Sequence, residues 1–175
     1  MIVARLIVTA DVHGSYTTWL TLKSLLRPDD TLVVAGDLFD TRYGRPGRLD
    51  FQPKAIKEEL AALGNPFLYV YGNCDVPAFY PGHAFELEFS HRETKILLVH
   101  GHALVSKVPA GTSMIIQGHT HIPKLEQQEN LVLFNPGSLT SPRIKIHTYG
   151  IMENKLASII DIKNNRTLIS LDLGR

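Results

Sequence analysis

Apolar and polar positions divide the chain into two halves of different character. In the first half, nearly continuous apolar runs alternate with stretches of helical spacing. Ile2 to Ala10, Thr31 to Ala35 and Phe67 to Tyr71 read as strands covered on both faces. Between them, Ser15 to Arg27 carries Trp19, Leu20, Leu22, Leu25 and Leu26 near a helical period, and Pro28 stops it. Pro53 to Leu63 predicts a second helix, with proline at a tolerated first-turn position and Gly64 past the end. The stretch Asp40 to Gln52 is rich in Gly, Arg and Pro and reads as a loop. The order strand, helix, strand, helix, strand predicts a right-handed parallel α/β unit.

The second half is made of short runs. Phe85 to Phe89 and Thr94 to Val99 predict two strands joined by a turn at Ser90 to Glu93. Ser113 to Ile116, Lys124 to Gln128 and Leu131 to Phe134 predict three more. From Tyr149 to Leu173 apolar and polar residues alternate, with turn clusters at Glu153 to Lys155 and Lys163 to Arg166, which is the pattern of a β-meander. These readings together predict a second sheet packed on the first, with helices outside. With no repeat, low-complexity tract or linker, a single domain over residues 1–175 is expected.

Five of the apolar runs are followed at once by residues that bind metals. Asp11-Val12-His13 follows the first run and Gly36-Asp37 the second. Gly72-Asn73-Cys74-Asp75 follows the third, His100-Gly101-His102 the run ending at Val99, and Gly118-His119-Thr120-His121 the run ending at Ile116. In layered α/β proteins the carboxyl ends of neighbouring strands build ligand sites. Asp and His are hard or borderline ligands for a divalent cation that activates water, and Asn73 adds a neutral carbonyl oxygen. An Asp shared by two cations can hold them about 3.5 to 4 Å apart, a spacing suited to in-line displacement at phosphorus.

Composition narrows the setting. Lys and Arg number 18 against 17 Asp and Glu, a net charge of +1, which argues against a protein that coats nucleic acid. The single cysteine, Cys74, forms no intrachain disulfide and asks for no oxidising compartment. No run approaches the roughly 20 apolar residues of a membrane span. Ile2 to Ala10 contains Arg5 and leads straight into Asp11, so it reads as a first strand rather than a signal peptide. A cytoplasmic protein is the expectation.

Taken in order, the five motifs resemble those of the calcineurin-like metallophosphoesterase superfamily. The short length, the Gly72-Asn73-Cys74-Asp75 variant and the segment Asn135-Pro136-Gly137-Ser138 resemble its small YfcE-like phosphodiesterase branch. The resemblance spans almost the whole chain. It implies a four-layer α/β/β/α sandwich of two mixed sheets flanked by helices, and two divalent cations. Asp11, His13, Asp37 and His121 would hold the first cation; Asp37, Asn73, His100 and His119 would hold the second. Manganese is favoured, and zinc and iron are compatible with the same ligands. The implied reaction is phosphodiester hydrolysis by in-line attack of a hydroxide bridging the cations, on a small phosphoester or nucleotide-like substrate.

The third residue of the Asn motif is usually His in the wider superfamily, where it is thought to protonate the leaving group. Here it is Cys74, whose ordinary thiol pKa near about 8.5 suits that role poorly. This chain is therefore expected to give weak leaving-group assistance and to prefer acidic leaving groups. Asn73, Cys74 and His102 are the candidate catalytic residues, with His102 a compensating group from the neighbouring loop or a support behind the ligands. Cys74 also reads as a small buried hydrophobe, and Asp75 as a turn residue or an orienting group. Arg42, Arg45 and Arg48 form either a solvated loop or a flap that grips phosphate. His83, His91 and His147 lack ligand partners at useful spacing. Two other functions remain open: a non-catalytic scaffold of the same fold, as in the retromer subunit, and a phosphomonoesterase, protein phosphatase or nuclease of the superfamily. Near-neutral charge and the short chain argue against polymeric substrates such as nucleic acid. Apolar edges in the C-terminal meander leave room for a homo-oligomer.

Overall fold

The structure is a computed structural model and describes residues 4–103 and 107–174. Its elements are β1 (Leu6–Thr9), α1 (Tyr16–Leu25), β2 (Thr31–Ala35), α2 (Pro53–Ala61), β3 (Phe67–Val70), β4 (Glu86–His91), β5 (Thr94–Val99), β6 (Met114–Ile116), β7 (Lys124–Gln128), β8 (Leu131–Asn135), β9 (Thr148–Glu153), β10 (Leu156–Asp161) and β11 (Arg166–Asp172). The strands form a six-stranded sheet, β11-β10-β9-β1-β2-β3, and a five-stranded sheet, β4-β5-β6-β8-β7. Both are mixed. The strands β1, β2 and β3 are parallel, and so are β5, β6 and β8, while the outer strands pair antiparallel. The architecture is the four-layer α/β/β/α sandwich.

Alternation along the strands decides which residues meet. Leu6, Val8, Val33, Ala35 and Val70 from the first sheet pack against Ile96, Leu98, Met114, Ile116 and Phe134 from the second. On the other face of the first sheet, Ile7, Leu32, Val34 and Tyr69 receive Trp19 and Leu22 of α1 and Ile56 and Leu60 of α2. On the outer face of the second sheet, Leu97, Val99 and Ile115 form a smaller buried cluster with Leu131 and Leu133.

Local chemistry sets the helix starts. Ser15 caps α1, its Oγ accepting from the Thr18 backbone N at 3.2 Å. Asp50, from the loop between β2 and α2, accepts from the Thr17 N at 2.8 Å and so reinforces the same helix start. Pro53 opens α2, as its sequence position predicts.

Three details differ from the sequence reading. The first strand begins at Leu6, and Met1 to Val3 lie outside the described residues. Arg5, just before it, turns its guanidinium to Asp30, with Nε donating to Oδ1 at 3.0 Å. The β4–β5 hairpin closes through only Arg92 and Glu93, with Arg92 at φ 55°, because a two-residue turn needs positive φ to match strand twist. The meander β9–β11 does not stand apart: β9 pairs antiparallel with β1 and extends the first sheet. No helix among the described residues is long and apolar enough to cross a membrane.

The Arg5–Asp30 pair is buried, and Asp30 also accepts from the Arg27 backbone N at 2.8 Å. Removing one partner strands a buried charge. Asp30→Ala is expected to destabilise the fold by about 3 kcal/mol while leaving metal affinity unchanged, as chemical denaturation and metal titration of the same variant would show.

Candidate metal centre

Every motif singled out in the sequence lies at the carboxyl end of a parallel strand, on one edge of the sandwich. Asp11 and His13 follow β1, Asp37 follows β2, and Asn73 and Cys74 follow β3. From the facing sheet, His100 follows β5 and His119 and His121 follow β6. Six residues of this edge have left-handed backbone: Asp11 (φ 56°), His13 (52°), Asp37 (52°), Asp40 (52°), His119 (66°) and His121 (58°). Asp and His tolerate this region better than most side chains, but such strain collects where function demands a fixed arrangement.

Close backbone approach completes the framework. A Cβ on Gly72 would overlap the Asp37 carboxylate, and one on Gly36 would overlap the His100 ring. Only glycine leaves room for those side chains.

The first group of donors is Asp11, His13 and His121. Asp11 is fully buried; its Oδ2 accepts from the His119 backbone N at 3.0 Å, whereas its Oδ1 has no hydrogen-bond partner. That Oδ1 lies 3.3 Å from His121 Nε2 and 3.9 Å from His13 Nε2, and the two imidazole nitrogens face each other at 3.3 Å. His121 Nδ1 meets the Ser141 carbonyl at 2.7 Å, so its proton belongs there and Nε2 keeps its lone pair.

The second group is Asp37, Asn73 and His100. His100 Nε2 lies 3.2 Å from Asp37 Oδ2 and 3.1 Å from Asn73 Oδ1, while its Nδ1 meets the Ala35 carbonyl at 2.8 Å. Again the ring proton has an outward partner and the lone pair turns inward. The His119 ring stands with its centroid 5.2 Å from that of His100. Asp37 joins the two groups: donor atoms of Asp37, Asp11 and His100 lie within 4.8 Å of one another, and so do those of Asp37, His13 and Cys74.

Each group thus sets lone pairs against lone pairs in a buried space, an arrangement that needs positive charge in its midst. In the metal-free chain the directions of the pKa shifts reflect that need. The adjacent Asp11 carboxylate raises the His121 pKa, outweighing burial. Burial works to lower that of His100, but its contacts with Asp37 raise it overall. Burial likewise works to raise the Asp37 pKa, but His100 and the Cys74 N–H hold it well below the usual carboxylate range. Divalent cations fit the same space, with oxygen and imidazole donors of the right type and an unpartnered Asp11 oxygen aimed into it.

The remaining candidates divide. Cys74 is nearly buried; its backbone N donates to Asp37 Oδ1 at 2.8 Å and its Sγ accepts from Asn73 Nδ2 at 3.2 Å. Burial, then the neighbouring Asp37, push its thiol pKa up, so it stays protonated. His102 is exposed, with its ring centroid 5.4 Å from that of His100 and 6.3 Å from that of His119. Burial, then His100 and His119, push its pKa down.

Asp75 does not reach the side chain at position 74. Its carboxylate accepts from the backbone N of Leu38, Phe39 and Asp40 at 3.3, 2.9 and 3.3 Å and from the Tyr69 hydroxyl at 2.7 Å, which locks the loop carrying Asp37. Arg42 Nε donates to the Asn73 carbonyl at 2.9 Å, and Arg45 Nε to Asp40 Oδ2 at 3.1 Å, so both fasten the Gly/Pro loop to the centre. The turn Asn135 to Ser138 faces the metal loops, where Ser138 Oγ donates to the Asp11 carbonyl at 2.9 Å. One partner escaped the sequence reading: Asp40 lies beside His13. The recurrence of Asp three residues after Asp37 was a readable signal for it.

Comparison with known proteins agrees with this geometry. The profile of the "Calcineurin-like phosphoesterase superfamily domain" matches residues 5–156. The chain is 27% identical over 183 residues to phosphodiesterase YfcE of Escherichia coli strain K12, covering 95% of this chain and 96% of that protein. It is 28% identical over 157 residues to the probable metallophosphoesterase MG207 of Mycoplasma genitalium, covering 82% of each. The solved structure of the Escherichia coli YfcE phosphoesterase superimposes with a TM-score of 0.83 at 25% identity, over 97% of this chain and 100% of that one. Vps29 from Entamoeba histolytica, solved with zinc, shares the fold at a TM-score of 0.67 and 17% identity, over 97% of this chain and 99% of its own. The chain belongs to the calcineurin-like metallophosphoesterase superfamily, in its YfcE-like branch.

Proposed function

We propose that this chain is a dinuclear-metal-dependent phosphodiesterase that hydrolyses a small phosphoester or nucleotide-like substrate. The observation that carries this reading is the pair of facing donor groups joined through Asp37. Asp11, His13, Asp37 and His121 would hold one cation, and Asp37, Asn73, His100 and His119 the other, with manganese the favoured metal. When bound, the cations lower the pKa of water and neutralise charge on the phosphoryl oxygens.

The chain's own residues set the rest. The Ala35 and Ser141 carbonyls hold the ring protons of His100 and His121, so that both imidazoles present Nε2 inward. Asp75 fixes the backbone from Leu38 to Asp40 and thereby the aim of Asp37. Cys74 keeps its proton too tightly to give it up readily, and His102, its pKa depressed, stands neutral at neutral pH. Neither is a strong acid for the departing oxygen, so substrates with acidic leaving groups are favoured. A scaffold built on the same fold is the second reading, and the convergence of Asp11, His13, Asp37, His100 and His121 favours hydrolysis over it.

The test is a panel. Protein stripped of metal and resupplied with manganese, zinc, iron or magnesium is assayed on a diester, a monoester and a cyclic nucleotide. Diester turnover that returns with manganese supports the reading. Silence on every combination moves the weight to a scaffold.

Metal loading will depend on pH with a definite sign. Coordination requires neutral imidazole, and His100 and His121 have pKa values raised above the ordinary 6.5 in the metal-free chain. Manganese affinity therefore climbs with pH through and somewhat above 6.5, then levels off. The metal-free fold behaves oppositely. The stability these two histidines contribute is complete below their unfolded value and fades as pH rises through the raised folded values. Melting curves with and without manganese between about pH 5 and about pH 8 should diverge as pH rises; a constant gap would contradict the assignment.

A further inference from the structure

His13 is oriented differently from the other inward-facing imidazoles. The Nδ1 atoms of His100 and His121 meet backbone carbonyls. The Nδ1 of His13 is buried and makes no hydrogen bond, but a carboxylate oxygen, Asp40 Oδ2, stands 3.3 Å from it. Asp40 is itself only 5% exposed, and its Oδ1 is buried with no hydrogen-bond partner.

Its placement is controlled from three sides. The backbone at φ 52° turns the residue out of the ordinary chain path. Asp75 Oδ1 accepts from the Asp40 N at 3.3 Å. Arg45 Nε, reaching in from the Gly/Pro loop, donates to Asp40 Oδ2 at 3.1 Å. A buried carboxylate with one cationic partner and an unfilled oxygen is costly to keep unless it serves a neighbour, and the neighbour here is His13.

We propose that Asp40 is a positioning residue of the metal centre: clamped by Arg45, its carboxylate accepts the Nδ1 proton of His13 and so keeps the His13 Nε2 lone pair turned toward Asp11 and His121. This rests on the dinuclear reading above. A carboxylate in this position offers a charged acceptor that fixes the ring orientation and the tautomer together. The Arg45 contact ties that effect to the loop bordering the site, so a displacement of the loop alters how well His13 binds a cation.

Three measurements on wild type, Asp40→Asn and Asp40→Ala test this. The first is the ¹⁵N shifts of the His13 ring in metal-free protein, the second manganese titration resolved by site, and the third thermal melting. In wild type, His13 should carry its proton on Nδ1. In Asp40→Ala the ring should become a mixture of tautomers, and affinity should fall by about 10- to 100-fold at one site while the other is spared. Asp40→Asn keeps an acceptor oxygen without the charge, so its tautomer should survive with a smaller loss of affinity. If Asp40→Ala does not fold, Asp40→Asn decides: a measurable loss at one site supports the proposal.

Unchanged tautomer and unchanged affinity in the variants that fold would overturn it, with the dinuclear reading intact. If wild type binds no second manganese, the dinuclear reading fails, and the metal-free ¹⁵N shifts still decide what Asp40 does.

Discussion

Asp37→Asn should leave a folded protein that holds at most one manganese and turns over diester at least about a thousandfold more slowly. The substitution keeps the size of the side chain and one oxygen, so the Cys74 N–H that Asp37 accepts at 2.8 Å can still find a partner. What it removes is the negative charge between the two donor groups. Donor atoms of Asp37 cluster with His13 in one group and with Asp11 and His100 in another. A carbonyl amide repays little of the repulsion between two divalent cations. Lewis-acid stabilisation of a phosphoryl transition state is worth several kcal/mol, and each 1.4 kcal/mol is about tenfold in rate. Metal analysis after dialysis, turnover and a melting curve on one preparation check the result. A variant retaining two metals and near-wild-type rate would show that Asp37 does not join the sites.

The second large effect concerns the departing oxygen. Diesters of acidic phenols should be cleaved at least about 100-fold faster than esters of simple alcohols, because a positioned general acid is worth about 10²–10⁴-fold and neither Cys74 nor His102 stands in an effective protonation range. Burial and Asp37 keep the Cys74 proton bound, and the depressed pKa of His102 leaves it neutral. Cys74→His should flatten the dependence by speeding the poor leaving groups most. A chemical step indifferent to leaving-group pKa in the wild type would contradict this account and point to an acid elsewhere on the rim.

Much of this was legible in the sequence because two simple signals coincide. Continuous apolar runs mark strands buried on both faces, and β1, β2, β3 and β5 lie where Ile2 to Ala10, Thr31 to Ala35, Phe67 to Tyr71 and Thr94 to Val99 predict. Ligand-type residues directly after such runs must emerge at strand ends, which is why Asp11, Asp37, Asn73, His100 and His121 meet although up to 110 positions separate them along the chain. What the sequence hid is pairing between distant segments. Nothing local in Thr148–Glu153 says that it will lie beside β1, since that choice is made by burial of Met152 and Ala157 against the shared core. The same holds for Asp75, whose role depends on three backbone N–H groups far along the chain, and for Asp40, which the fold brings to 3.3 Å from His13.

The most direct measurement is anomalous diffraction from crystals equilibrated with manganese. The account predicts two peaks, one contacted by Asp11, His13 and His121, the other by Asn73, His100 and His119, with Asp37 reaching both. A single peak, or density remote from these side chains, would contradict it.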